Sequence, residues 1–233
     1  VVQEAMMYGL LLGALVIAMA PNGSEVVEGA GPGLQQARAA ANECRGEFSL
    51  MNPAVPQVAY SDGSDALCIS GNIDSSLESA VIREMSVDGR RIDYVVLSGE
   101  SGEMQPAIRI AERIQGLDAT AVVQRRCASL CAQILFVAAP HKVILKEGMV
   151  WFPGGPFNPE RIRIMSIPVG AKQVLLHDHE LFQRFYSDHG LDPRLVNQSP
   201  PETEKDSDRG VLTIRFWSAG ELRELGVAGV VHE

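Results

Sequence analysis

Ser129 is the residue of this chain best placed to act as a nucleophile. It opens an apolar helical run and stands between cysteines, in Cys127-Ala128-Ser129-Leu130-Cys131. A serine hydroxyl attacks an acyl carbon when a base lies within hydrogen-bond reach and N–H donors face the developing oxyanion. Upstream, the strand-like run Tyr94-Val95-Val96-Leu97 breaks into Ser98-Gly99-Glu100-Ser101-Gly102-Glu103, ahead of a helical pattern over 104–114. Small residues between a strand and a helix leave backbone N–H groups free to face an anion. Two strand-to-helix junctions in tandem can therefore set a hydroxyl beside an oxyanion hole. Taken singly, each has a plainer reading: Ser129 as a helix cap, and 98–103 as an ordinary connection. Gly99–Glu103 departs from the Gly-x-Ser-x-Gly nucleophile elbow at its last position, where Glu103 stands. It is not Gly-x-Gly-x-x-Gly, and no Gly-Lys-Ser/Thr follows.

A base for Ser129 must come from a short list. His141 lies at a turn after the helix that Ser129 opens and is the candidate base. His177 and His179 sit two apart on one helix and face different ways. His189 ends that helix, where a cation complements the dipole, and His232 is in the tail. Lys142, Lys146 and Lys172 serve only if buried. The four cysteines, Cys44, Cys68, Cys127 and Cys131, form no Cys-x-x-Cys pair, and no histidine stands at ligand spacing from Cys127 and Cys131. Neither a metal nor a cofactor is expected. Of the three possible disulfide pairings, Cys44–Cys68 with Cys127–Cys131 is the simplest, and it fits an oxidising compartment.

The elements that must position these residues alternate. Extended segments at 57–60 and 66–70 are followed by a turn at 71–74. A helix capped by Ser75 or Ser76 then runs through Met85. Next come strand 92–98, helix 104–116, strand 119–124, helix 129–138, strand 142–146 and the short strand Met149–Phe152. Residues 169–188 form a long helix ended by Gly190, and 198–210 read as loop. A strand at 211–216, a helix at 218–225 with Ser218 and Glu221 as a capping box, and a strand at 227–231 close the chain. Strands alternating with helices predict an α/β fold, with a largely parallel sheet and helices on its faces.

The chain has 233 residues, 46% hydrophobic and 21% charged, with a formal net charge of −9. That suits one substantial domain. An acidic chain with no Lys/Arg-rich run is not built to displace counterions from nucleic acid. Residues 5–24 carry no charge, and the apolar centre Met6–Ala20 spans roughly 22 Å as a helix, short of the roughly 30 Å hydrocarbon core. With the small-x-small triplet Ala18-Met19-Ala20, residues 1–24 read as a signal peptide or membrane anchor. Residues 25–55 read as a linker and short helix, and 56–233 as the domain. The N-terminal segment makes a membrane the expected partner, and the expected location is the periplasm or a membrane-anchored position facing it.

Three motifs in order, Ile69-Ser70-Gly71-Asn72-Ile73, then Val96 through Glu103, then Cys127 through Ala132, resemble the Clp-protease proteolytic subunit and crotonase superfamily. The likeness is nearest to exported, Clp-protease-like bacterial proteins with a Cys-x-Ser-x-Cys motif, over roughly residues 65–230. The resemblance implies a spiral of ββα units. It places Ser129 at the nucleophile, with the N–H groups of Leu130, Ser101 and Gly102 as oxyanion donors and a peptide or other acyl group as substrate. It implies self-association into homo-oligomers. The family's histidine follows the next strand, where Phe152 stands here, and the acidic member lies near Asp206 or Asp208. Phe152 accepts no proton. The expectation is a serine hydrolase with a degraded triad, and the alternative is a non-catalytic binding or assembly protein of the cell envelope. A crotonase-like acyl-thioester enzyme, which uses the oxyanion hole without a serine, is a third reading that an exported location disfavours.

Overall fold

The computed structural model describes residues 32–47, 56–152, 159–197, 205–206, 211–212 and 219–233. The expected signal or anchor at 1–24, the cap at Ser218, the strand residues 213–216 and Asp208 lie outside them. Among the described residues no helix is long and apolar enough to cross a membrane.

Seven strands form one sheet. β1 (Gln57–Ser61) pairs antiparallel with β2 (Ala66–Ile73). β3 (Tyr94–Gly102), β4 (Thr120–Ala128), β5 (His141–Ile144) and β9 (Val230–His232) follow in that order, all parallel. β6 (Met149–Trp151) lies parallel against the last residues of β4. A separate pair, β7 (Lys205–Asp206) and β8 (Val211–Leu212), is antiparallel and falls partly in the segment expected to be loop. The α/β class with a mostly parallel sheet and flanking helices is therefore as the alternation predicts.

Side-chain alternation along the strands divides the core between two faces. Cys68, Val96, Val122 and Val143 are buried with Ala37, Ala40, Ala41 and Cys44 of α1 (Pro32–Glu47). Leu67, Ile69, Val95, Leu97, Ala121, Val123 and Ile144 point the other way. They join Leu77 and Val81 of α2 (Ser75–Met85) and Ile110 and Ile114 of α3 (Met104–Gln115). Phe182, Phe185 and Tyr186 of α5 (Val169–Asp188) complete that cluster. α1 is tied down covalently, because Cys44 is disulfide-bonded to Cys68 of β2 with Cα atoms 5.5 Å apart. Cys127 and Cys131 form the second bridge. Both pairs are the simplest connectivity, and both fit an oxidising compartment.

Several boundaries differ from the sequence expectation. β2 continues through Gly71-Asn72-Ile73 instead of turning there, and Asp74, not Ser75 or Ser76, caps α2. The Asp74 carboxylate accepts the N–H groups of Ser76 and Leu77, both at 2.9 Å. Asp74 is the residue whose side chain reaches the orphan donors of the first turn. β3 continues through Ser98–Gly102, so most of the expected polar turn is strand. The helix after Ser129 is wound as a π-helix over Cys131–Phe136. α4 (Pro159–Ile164) and α6 (Arg194–Asn197) are short helices that periodicity did not signal.

Candidate functional site

In a parallel sheet every strand delivers its chain to the same edge, and that carboxyl edge is where α/β proteins gather ligand groups. β3 and β4 are neighbours, paired Gly99 to Cys127 near their ends. The two junctions singled out in the sequence therefore stand side by side: Ser101 and Gly102 at the end of β3, Ser129 and Leu130 just past the end of β4. Ser101 and Gly102 are exposed, Ser129 is half-buried and Leu130 is buried.

Ser129 has φ +51°, in the left-handed region. Such a backbone costs a non-glycine residue roughly 1–2 kcal/mol, and strain of this kind concentrates at functional turns. Three contacts over-determine the turn. The Ser129 N–H donates to Trp151 O of β6 at 3.1 Å, and its carbonyl accepts from Gln133 N–H at 2.7 Å. The Cys127–Cys131 disulfide closes the turn from both sides, with Cα atoms 5.2 Å apart. Leu130 opens the helix, so its N–H has no intrahelical acceptor. Among the described residues the Ser129 hydroxyl has no hydrogen-bond partner.

Gly102 is explained first by packing. A Cβ on Gly102 would stand 2.0 Å from Ile73 O, and one on Gly99 would stand 2.6 Å from Gly71 O. β2 and β3 approach backbone to backbone, which only glycine permits. The Glu103 N–H also donates to Ile73 O, at 2.7 Å. The expectation of an open anion-binding loop over 98–103 is corrected accordingly: continued pairing with β2 takes up this stretch.

His141 is not a base for Ser129. It pairs with Thr120 at the start of β4, and its Nε2 lies 3.4 Å from Asp118 Oδ1. Ser129 follows the other end of β4, about 30 Å away at ~3.3 Å per residue. Lys142, paired with Ala121, sits at the same wrong edge. It is buried, its Nζ donates to Ala139 O and Ala228 O, and burial pushes its pKa down to about 8. Lys146 is exposed beyond β5, and Lys172 Nζ donates to Arg163 O at 2.7 Å. Phe152 comes directly after Trp151, whose carbonyl holds the Ser129 turn, and is fully buried. At the place where the family resemblance calls for histidine, the core holds a benzyl group.

The structure also brings Gly102 together with residues that sequence reasoning set aside, such as His177, or passed over. A cleft of about 730 Å³ at the carboxyl edge lies between the N-terminus of α3 and the first half of α5. It is lined by Ser75, Gly102, Gln105, Arg109, His177 and Asp178 among others; Ser129 is not one of them. His177 Nε2 lies 3.4 Å from Gln105 Nε2. Arg109 is fixed by a two-point pair with Glu78, at 2.5 and 2.6 Å, which holds the Glu78 carboxyl below its usual range. Burial raises the Asp178 carboxyl, with His177 opposing. No local signal marks His177, because its position depends on α3 and α5 packing together.

No protein-family model matches this chain, and no curated protein matches it. Among solved structures, that of an enoyl-CoA hydratase from Mycobacterium avium subsp. paratuberculosis K-10 is similar over 76% of this chain and 68% of the other. The identity is 16% and the TM-score 0.39.

Proposed function

We propose that this chain is an exported, Clp-protease-like protein of the crotonase superfamily that keeps the serine turn without the base, and serves as a binding or assembly protein of the cell envelope. The family part rests on the order of the three motifs along a mostly parallel sheet. The two disulfides support export to an oxidising compartment such as the periplasm. The observation that carries the non-catalytic reading is Phe152, fully buried beside the Ser129 turn, with His141 at the far edge of the sheet. A serine without a base retains at most the residual enhancement of an oxyanion hole, about 10³–10⁴ over water.

One observation favours a second reading, a working serine hydrolase acting on a peptide or other acyl group. Ser129 is held at φ +51° between a strand and a helix, the geometry of a nucleophile turn. A fluorophosphonate probe separates the two. The expected result is that folded protein does not label. Labelling that disappears in Ser129→Ala establishes the hydrolase reading and ends the first.

A further inference from the structure

The three most exposed large apolar side chains among the described residues lie together on one helical hairpin. Ile164 ends α4 at 83% exposure and Val169 begins α5 at 72%, while Val174, at 59%, lies further round α5 and lines the cleft with α3. Only residues 165–168 separate the two helices, so Ile164 and Val169 flank the tip. The hairpin is anchored from below: Ile162 is fully buried in α4, and Phe182 and Phe185 bury the far half of α5. The apolar tip is thus presented on a supported stem.

Charge at the tip runs against the rest of the molecule. Over 159–176 there are three cations, Arg161, Arg163 and Lys172, and one carboxylate, Glu160, in a chain of net charge −9. Arg163 is exposed, and Lys172 Nζ is hydrogen-bonded to Arg163 O, which gathers both cations at the hairpin. Exposed aliphatic groups bordered by cations are what an anionic lipid surface reads: the apolar groups enter the interface while the cations meet headgroup phosphates. A second copy of the chain is a poorer occupant. Three side chains offer far less than the ~800 Å² per partner that a stable dimer buries.

We propose that the α4–α5 hairpin is a membrane-docking surface whose tip, Ile164 and Val169, inserts into the interface of an anionic bilayer, with Arg163 and Lys172 over the headgroups. The proposal is independent of whether Ser129 reacts, and it concerns a surface distinct from the apolar N-terminal segment. The test is amide hydrogen exchange of the full chain, read on peptides from 159–176, with and without vesicles. On vesicles of equal parts phosphatidylglycerol and phosphatidylcholine, exchange at 164–174 slows. On phosphatidylcholine alone it does not. Ile164→Asp with Val169→Asp abolishes the slowing while far-UV circular dichroism stays unchanged. Arg163→Gln weakens vesicle partition about fivefold. Equal exchange with and without anionic vesicles overturns the proposal. So does slowing that appears with rising protein concentration in the absence of vesicles, which assigns the face to a second copy.

Discussion

Ser129 concentrates the residue-scale tension in this molecule. Its φ of +51° is a conformation natural to glycine. Ser129→Gly is expected to raise stability by up to about 1 kcal/mol in urea unfolding, since it removes left-handed strain at some cost in chain entropy. A lower stability would mean that the serine turn is relaxed as it stands. Gly102 is the opposite case. Gly102→Ala places a methyl 2.0 Å from Ile73 O, and a loss of more than about 2 kcal/mol is expected in the same assay. Lys142 makes stability depend on pH. Its folded pKa of about 8 lies below the ordinary 10.5. Between those values the unfolded chain holds the proton and the folded chain does not, so stability climbs as pH rises through the window. Tyr60, raised to about 12 chiefly by burial, lowers stability again above its ordinary 10.0. Lys142 should therefore contribute a gain of roughly 2 kcal/mol between pH 8 and 10, offset in part near pH 10 by Tyr60, Tyr94 and Tyr186, all raised chiefly by burial. Lys142→Met should show no such rise.

At the scale of elements, β3 and β4 both outrun their apolar runs. β3 continues through Ser98–Gly102 and β4 through Gln124–Ala128 because each has a neighbouring backbone to pair with, Gly71 and Ile73 of β2 in one case and Met149–Trp151 of β6 in the other. These extensions carry the two junctions to one edge of the sheet. Asp74 shows the same dependence on geometry, since the capping residue is the one whose carboxylate reaches the N–H groups of Ser76 and Leu77. Asp74→Ala should cost about 1 kcal/mol. The Asp74 carboxyl is held below its usual range by hydrogen bonds from Ser76 and Leu77. Its contribution is thus present above the unfolded pKa near 3.8 and is lost as pH falls through the folded value. A mutant whose stability difference from wild type persists unchanged at low pH would contradict this assignment.

For the whole molecule, the decisive feature is that, among the described residues, α1 is the one helix packed on its face of the sheet. α1 reaches β2 through the Cys44–Cys68 bond, across a sequence separation of 24. Its buried residues are mostly alanines, Ala37, Ala40 and Ala41, so its apolar contact is shallow and the covalent link matters. Replacing both Cys44 and Cys68 by serine is expected to cost about 3 kcal/mol. Amides of α1 should lose exchange protection before those of α3 do. Simultaneous loss in both helices would show that the domain opens as one unit.

Much of this was legible from residue order. Alternating apolar runs fix the α/β class and the parallel sheet, because strands separated by helices have few other ways to bury their faces. Cysteine order left three pairings, of which the structure holds the simplest, and the helix at 169–188 follows from its periodicity and the closing Gly190. The tertiary structure alone decided which groups meet. Only strand register puts Ser129 and Gly102 at one edge and His141 at the other, and only the packing of α5 on α3 carries His177 to the cleft beside Gly102. Local pattern encodes what a segment buries. Neighbours distant in sequence encode what a side chain faces, and the chemistry of this protein depends on the latter.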